Sequence, residues 1–396
     1  MSFTLRSAII ITSVILLACF TVKAQNIDEA IVNYAEKYSP ERMYLHYDKS
    51  AYSAGETIWF KAYLMNEIFP ADQSKTVYVD WIDDKGSLLQ HSVSPVIEAA
   101  TNGQFDIPAD FKGRYIHVRA YTKWMLNFDS AFLYDKTIPV ISKNASQPVK
   151  QNAIIPSVSF FPEGGDAIAG ISNKVAFKAN DQWGRPVKIK GVILDSRGKI
   201  TDSLKTMHDG MGYFLLLPEP GLSYTAKWKD EKNVERTAAL PSIKQGGVSL
   251  QVTVAGSNRY FNVRYTPDAA AASDTVHIVG MMHQHLAFKL AKATNTPFIK
   301  ATIPVKELPT GILTITVFDK QWNALAERIT YINNEDYLFY PEMEVQHWGM
   351  NKRARNEIKI TVPDSLIANL SVSVTDAAIG TDSSNTIVSH LFSAAS

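Results

Sequence analysis

Cysteine is almost absent from this sequence. The 396 residues contain one, Cys19, which lies in an apolar stretch near the N-terminus. If that stretch is removed on export, the mature chain has no thiol. Disulfides, thiolate metal sites, a cysteine nucleophile and a thioester are then all excluded. The folded chain must therefore be held together by its hydrophobic cores.

An excess of charge of either sign is also lacking. Lys plus Arg number 40 and Asp plus Glu number 39, which leaves no global field to attract nucleic acid or an anionic membrane. The sequence contains no Gly-x-Ser-x-Gly, His-Glu-x-x-His or phosphate-loop motif. We therefore expect no enzyme activity, no cofactor and no nucleic-acid partner.

The N-terminal residues have the pattern of an export signal. Residues 1–24 contain one early cation, Arg6, then an apolar run over 8–22 and a plausible cleavage point of small or branched residues. About 15 apolar residues are short for a membrane span of roughly 20. Leu16-Leu17-Ala18-Cys19 also loosely resembles a lipoprotein box, which would leave Cys19 lipidated. We expect export to the periplasm, the outer membrane or the cell surface.

Beyond a short helix and linker predicted for residues 25–38, the hydrophobic pattern has a period of two. Segments such as "TIWFKAYL", "VAFKAND" and "LTITVFD" are rich in β-branched and aromatic residues and are separated by Gly, Pro, Asn and Asp. This pattern predicts an all-β chain of tandem immunoglobulin- or fibronectin-like β-sandwiches. At roughly 100–150 residues per domain, the length suits about three.

An internal repeat indicates the module size. The tripeptide Phe-Lys-Ala occurs at 60–62 and 177–179, each time followed by a strand, an aspartate turn and a strand. Polar, turn-rich breaks at 142–156, 240–247 and 333–342 separate the repeats. We place three sandwiches and a fourth, incomplete β segment at these positions: 39–142, 153–245, 248–333 and 336–396. Because the last is too short to close a sandwich, we expect a fragment of a longer protein.

One stretch, "YLHYDKSAYSAGETIWFKAYL", is similar to the start of the second macroglobulin-type domain (MG2 domain) of the alpha-2-macroglobulin superfamily. The residues that carry the likeness are Asp48, Lys49, Tyr52, Gly55, Thr57, Trp59 and Phe60. Residues 162–165 ("PEGG") and 181–186 ("DQWGRP") extend it into the second module. The sequence resembles exported Bacteroidota proteins in which such domains precede a region similar to the plug of TonB-dependent receptors.

The resemblance implies macroglobulin-type β-sandwiches and two alternative functions. One is a non-enzymatic scaffold or interaction module of the cell envelope, linked to an outer-membrane TonB-dependent transport system. The other is inhibition of endopeptidases, which in many members of the superfamily uses a Cys–Gln thioester. Without a mature cysteine, this chain could only be a thioester-free inhibitor. The expected partner is an outer-membrane component or, alternatively, a protease.

The corner within the MG2-like stretch has two interpretations. Asp48 and Lys49 could bind a charged ligand, but a polar pair that ends a strand more often belongs to a turn. Gly55 is expected to supply a backbone angle that a side chain disfavours. The aromatic residues Trp59, Phe60 and Tyr63 are expected to pack inside the sandwich.

Three other clusters have a structural and a functional alternative. His283 and His285 could share a metal on one strand face, although a hairpin loop is favoured. Residues 83–86 contain acids and a glycine, but a hairpin turn is favoured over a calcium loop. Residues 163–166 could present N–H groups to an anion, although a glycine turn is favoured. No metal site is therefore predicted.

Aromatic side chains concentrate around one predicted turn. The stretch 121–134 contains the candidate interaction surface, which consists of Tyr121, Trp124, Phe128, Phe132 and Tyr134. So many aromatic residues either pack within their module or form an interface to another module, a carbohydrate or a protein.

Overall fold

The computed structural model describes residues 27–141, 154–362, 368–376 and 385–392. The predicted signal peptide and Cys19 lie outside these ranges. Regular structure in the described residues consists of 27 strands and only three α-helices, which confirms the predicted all-β class. No helix in this part of the chain has the length and hydropathy needed to span a bilayer.

The first module begins after helix α1, Ile27–Tyr38. Its nine strands are β1 Glu41–Tyr47, β2 Tyr52–Ser53, β3 Thr57–Asn66, β4 Phe69–Pro70, β5 Thr76–Ile82, β6 Leu88–Pro95, β7 Ala100–Asp106, β8 Tyr115–Tyr121 and β9 Tyr134–Ile141. One sheet has β3 paired with β1, β4 and β7, and the other has the order β2-β9-β8-β5-β6. Two 3-10 turns, Met125–Asn127 and Ser130–Phe132, connect β8 to β9.

The period of two in the sequence decides which side chains fill this sandwich. In β1 every second residue is buried, and the same holds over most of β3, so each strand turns one apolar face inward. Trp81 of β5 is fully buried at the centre. Its ring stacks on Phe105 at 4.7 Å between centroids and lies 5.8 Å from Phe60. The two sheets are thus joined by an aromatic core.

The second module has its own core. Its strands are β10 Ser157–Pro162, β11 Ala167–Ile168, β12 Asn173–Asn180, β13 Ile189–Asp195, β14 Ile200–Lys205, β15 Met211–Leu216, β16 Tyr224–Asp230, β17 Glu235–Ala239 and β18 Ile243–Lys244. They form sheets β10-β12-β15 and β14-β13-β16-β17, and β11 pairs in parallel with β18. Phe177, Phe214 and Trp228 are buried between the two larger sheets.

The third module repeats this arrangement. Its elements are β19 Val248–Ala255, β20 Asn258–Tyr265, α2 Pro267–Ala272, β21 Thr275–Met282, β22 His285–Ala293, β23 Phe298–Pro304, β24 Gly311–Phe318 and β25 Ala324–Ile332. The sheets are β19-β20-β23 and β22-β21-β24-β25. Leu250, Phe261 and Ile315 lie in its core.

The last part of the chain adds little to any core. Strands β26 Glu342–His347 and β27 Glu357–Thr361 form a hairpin whose residues are almost all exposed. Residues 368–376, which belong to the predicted fourth β segment, have no strand assignment. Helix α3, Ile387–Phe392, buries Leu391. Among the described residues after Ile332, Leu391 is the only buried one.

The predicted aspartate turns recur through the modules. At each, an Asp carboxylate oxygen accepts hydrogen bonds from the backbone N–H groups two and four residues later. The five residues that do this are Asp83, Asp181, Asp195, Asp230 and Asp319. These side chains replace backbone partners at strand ends. The cluster at 83–86 is accordingly a hairpin turn, with Gly86 at φ +87°.

One predicted break is part of the fold. Residues 240–247 were predicted to separate two modules as a polar linker. Instead, β18 pairs with β11, Leu240 packs against the second core, and the Gly247 N–H donates to the Thr266 hydroxyl at 3.0 Å. The polar side chains of the segment, Ser242, Lys244 and Gln245, are exposed, while Leu240 and Ile243 pack against the second core and the backbone is hydrogen-bonded.

Candidate functional site

The corner at Asp48 is a structural motif. Asp48 Oδ1 accepts hydrogen bonds from the Tyr52 hydroxyl at 2.5 Å and from the Trp59 N–H at 3.0 Å. The same hydroxyl accepts from the Lys49 N–H at 3.1 Å. Tyr52 is buried, and its burial together with the Asp48 carboxylate raises its pKa far above the ordinary value, so it remains a donor. The carboxylate is thus committed to closing the turn.

The remaining motif residues stabilise the same corner. Gly55 has φ +86° and donates its N–H to the Ile107 carbonyl at 3.2 Å. The Thr57 hydroxyl donates to Asp106 at 2.6 Å. Phe60 is buried as predicted, but Trp59 is 53% exposed. The predictions for Trp59 and Tyr63 were wrong, because alternate strand residues point to opposite faces and both lie on the outer face of β3.

Replacing Asp48 by alanine tests whether the corner is a turn or a ligand site. We expect the free energy of unfolding to fall by about 2 kcal/mol, because a buried hydroxyl and a backbone N–H lose a charged acceptor. The matched control is Lys49→Ala, which removes a surface ion pair with Glu56 and an ammonium 5.3 Å from the centre of the Tyr52 ring. It should cost less than about 1 kcal/mol. Urea unfolding of the full chain measures both, and equal effects would contradict the turn assignment.

The five aromatic residues of the candidate interaction surface make most of their contacts within the first module. Tyr134 is buried and donates to the Leu45 carbonyl at 3.3 Å, and Tyr121 stacks on Tyr78 at 5.6 Å. The other three are half-buried in one row: Trp124 and Phe128 at 5.5 Å, Phe128 and Phe132 at 5.9 Å. These contacts are those of packing within a module, so we do not place the interaction site here.

The two histidines occupy a hairpin turn between β21 and β22. His283 and Gln284 are its two loop residues, both with positive φ, as a type I′ turn requires. His283 Nε2 lies 3.0 Å from the Thr310 carbonyl oxygen, and His285 Nε2 lies 3.2 Å from Glu67 of the first module. No cluster of three metal-ligating side chains exists among the described residues. His285 therefore joins the third module to the first, and His283 stabilises the turn within the third.

The glycine turn after β10 joins the second and third modules. The Glu163 side chain is 6% exposed, and its Oε1 accepts from Arg328 Nε at 2.9 Å and from the Val252 N–H at 3.3 Å. A Cβ at Gly164 would lie 2.8 Å from the Leu250 carbonyl oxygen. This turn was predicted as structural, and its backbone and carboxylate are both occupied by the third module.

A cleft of about 510 Å³ opens beside this junction. On its floor, Phe161, Ala176 and Tyr213 lie directly opposite one another on three neighbouring strands, all pointing outward. Lys174 lines it with its ammonium 4.5 Å from the centre of the Tyr213 ring. The remaining walls come from both modules and include Met207, Met211, Arg328 and Ile329. We call this site the Tyr213 cleft.

No motif or spacing considered in the sequence predicts the Tyr213 cleft. A signal was present, because Phe160 and Phe161 are consecutive and a strand can turn only one of them inward. In β15, likewise, Phe214 is buried while Tyr213 and Leu215 are 48% and 56% exposed. Strands with apolar residues at both parities bury one set and expose the other.

A second, wider cleft of about 1030 Å³ lies between the first and second modules. Several of its charged lining residues already pair within the second module: Arg185 with Asp181 at 2.8 Å, and Arg236 with Asp230 at 2.7 Å. These ion pairs belong to the aspartate turns, so these charged residues of the cleft have a structural role in closing turns.

The C-terminal segment, residues 368–376 and 385–392, lies on the outer face of β1 and β3. Tyr63 donates to the Ser371 hydroxyl at 2.7 Å, and His46 Nδ1 lies 2.7 Å from the same oxygen. The Tyr44 hydroxyl donates to the Asn385 carbonyl at 3.2 Å, and the His390 ring lies 6.0 Å from the Tyr44 ring. Outward-facing residues of the first module thus hold this segment.

Acid is expected to weaken this contact. Burial lowers the pKa of His390, and Arg42 lowers it further; burial also lowers the pKa of His46. Above the ordinary histidine value of about 6.5 both rings are neutral whether or not the segment is bound. Between that value and the lowered pKa values, the two histidines take up protons when the segment is released but not while it is bound. Lowering the pH through this range therefore weakens binding of the segment.

Hydrogen exchange at residues 385–392, corrected for intrinsic rates, measures this effect. We expect less protection at pH 5 than at pH 7.5, and a smaller pH effect in His390→Gln. His208→Gln, which changes an exposed histidine paired with Asp209, is the control and should leave the effect unchanged. Equal protection at both pH values would contradict the assignment.

Comparison with known proteins gives structural likenesses only. No protein-family model and no curated protein matches the sequence. The chain is similar to Salmonella alpha-2-macroglobulin reacted with methylamine, with TM-score 0.23 and 11% identity over 82% of this chain and 25% of that chain. Escherichia coli alpha-2-macroglobulin activated by porcine elastase gives TM-score 0.25 and 12% identity over 77% and 32%.

A tetra-tandem repeat from the extending region of a large adhesion protein gives TM-score 0.20 and 10% identity over 74% of both chains. Our chain spans about a quarter of the length of the Salmonella protein. At these scores and identities, the assignment of β-sandwiches depends on the sheets described above.

Proposed function

We propose that this chain is a non-enzymatic, exported scaffold of the cell envelope that binds a protein partner through tandem macroglobulin-like sandwiches. The observation that carries the proposal is the junction at Glu163, where a nearly buried carboxylate of the second module is held by Arg328 and a backbone N–H of the third. Such a junction fixes two modules relative to each other and presents the Tyr213 cleft between them. A fixed pair of modules suits a spacer that displays a binding surface.

Further support comes from the first module and the sequence. The MG2-like residues Asp48, Tyr52 and Gly55 build one corner through specific hydrogen bonds, so the motif has a definite structural role. The export pattern of residues 1–24 supports an envelope location. The likeness to Bacteroidota proteins with a plug-like region motivates the finer proposal of an outer-membrane partner in a TonB-dependent system.

The competing function is that of a thioester-free endopeptidase inhibitor, and a trapping assay separates the two. Trypsin and elastase are incubated with the mature chain and then assayed on a large protein substrate and on a small chromogenic peptide. We expect both activities to remain unchanged. Loss of activity on the large substrate with retention on the small one would indicate trapping and overturn the scaffold proposal.

Heat-unfolded chain serves as the control in that assay, because an unfolded chain competes as a substrate without trapping the protease. A reduction seen equally with folded and unfolded chain reports only this competition, which leaves the scaffold proposal supported.

A further inference from the structure

We propose that the Tyr213 cleft binds an extended protein segment in which an apolar side chain stands next to a carboxylate. This inference rests on the proposed function, because it names the chemistry of the partner that the scaffold binds. It is carried by the arrangement of Phe161, Ala176, Tyr213 and Lys174 beside the junction of the second and third modules.

The floor of the cleft has the shape of a slot. Phe161 and Tyr213 face outward from β10 and β15, with the small side chain of Ala176 between them on β12. Neighbouring strands lie about 4.8 Å apart, so the two aromatic residues stand roughly 10 Å apart across the middle strand. That separation leaves room for one apolar side chain above Ala176, in contact with a ring on each side.

The composition of the walls favours a protein segment over a sugar. Met207, Met211, Tyr213, Phe161 and Arg328 belong to residue types that are enriched at protein interfaces. Methionine side chains adapt to differently shaped apolar partners. A sugar would instead need several converging hydrogen-bonding side chains, and this cleft is walled mainly by apolar ones.

The charged side chains of the cleft indicate which charge the ligand carries. Lys174 has no ion pair with a carboxylate within the described residues, and its ammonium lies over the Tyr213 ring. Of the acids at the cleft, Glu163 pairs with Arg328 at 2.9 Å, whereas Glu327 accepts from the Thr316 hydroxyl at 2.8 Å and keeps its charge. Because Lys174 has no carboxylate within ion-pair distance among the described residues, a carboxylate on the ligand could pair directly with its ammonium.

The cleft is also preorganised. The Glu327 N–H donates to the Gly164 carbonyl at 3.3 Å, and Gln251 donates to the Ser172 carbonyl at 2.8 Å. Both bonds cross from one module to the other. Because the walls are fixed before a ligand arrives, binding would not have to order them.

Fluorescence anisotropy with labelled Gly/Ser octapeptides tests the proposal. The probe carries a central Phe-Asp pair, and the two control peptides carry Ala-Asp and Phe-Lys. We expect saturable binding of the Phe-Asp peptide to the full chain. Ala176→Tyr, which fills the slot with a good strand former, and Lys174→Glu should each weaken binding about tenfold or more. Lys205→Glu, a surface change on the other sheet, should not.

Charge reversal adds a readout that misfolding cannot imitate. The Lys174→Glu variant should bind the Phe-Lys peptide more tightly than the unchanged chain does. Lack of saturable Phe-Asp binding, or equal binding by all variants, overturns the proposal. Binding of an oligosaccharide in the cleft would also overturn the proposal. So would self-association of the chain, measured by sedimentation, if Ala176→Tyr abolishes it.

The outcomes separate this inference from the proposed function. If the peptide fails to bind while protease activity on large substrates is undiminished, the cleft assignment fails and the scaffold remains. If the chain traps protease, the scaffold fails whatever the peptide does.

Discussion

Replacing Trp81 by alanine is expected to lower the free energy of unfolding of the first module by about 3–5 kcal/mol. The side chain is fully buried, with Phe105 stacked on it at 4.7 Å and Phe60 at 5.8 Å. Because a close-packed core relaxes only in part, the change leaves a cavity between the two sheets. Urea unfolding of the full chain, followed by tryptophan fluorescence and circular dichroism, measures the loss.

Trp59→Ala is the matched control. Trp59 lies on the outer face of β3 and is 53% exposed, so its removal should change stability by less than about 0.5 kcal/mol. If the two tryptophans had similar effects, the assignment of inner and outer faces in this sandwich would be wrong.

Gly164→Ala is expected to destabilise the junction of the second and third modules by about 3 kcal/mol. Gly164 has φ +93°, which an alanine adopts at a cost of about 1–2 kcal/mol. The added methyl would also lie 2.8 Å from the Leu250 carbonyl oxygen, which must then move. Crowding of this kind adds about 1–3 kcal/mol.

Gly165→Ala measures the backbone effect alone. Gly165 also has a positive φ, +106°, but nothing lies within 4 Å of its Cβ position. We expect this variant to lose only the backbone part, about 1–2 kcal/mol. Differential scanning calorimetry measures whether the two modules still unfold together. Equal losses for both glycine variants would mean that Leu250 does not pack against the turn.

The period-two pattern predicted most of the fold because inward and outward positions alternate strictly in a half-buried strand. The aspartate turns were also predictable, since an Asp at a strand end can accept its own chain's N–H groups two and four residues later. Asp83 and Asp195 follow this rule in two different modules. The corner at Asp48 was favoured as structural because a polar pair that ends a strand usually belongs to a turn, although Asp48 accepts from the Tyr52 hydroxyl and the Trp59 N–H.

Three features could not be predicted from local pattern alone. Trp59 and Phe60 are both aromatic, and only the strand pairing decides which of them faces inward. The segment 240–247 has the composition of a linker, but its pairing with β11 is formed with residues more than 70 positions earlier. The Tyr213 cleft depends on how β25 of the third module lies beside β15 of the second.

Contacts between modules also could not be predicted from the sequence. His285 and Glu67 are far apart in the chain, and only the folded arrangement brings them within 3.2 Å. The same holds for Glu163 and Arg328 at 2.9 Å. Single charged residues carry no signature that distinguishes a junction from a solvated surface.

Limited proteolysis of the mature chain, with fragments identified by mass, tests most directly whether the second and third modules form one scaffold unit. We predict early cleavage within 142–156, where the sequence is polar and turn-rich, and a stable fragment that retains both modules from about residue 154 to 333. Early cleavage at 240–247 that releases the two modules separately would contradict the account.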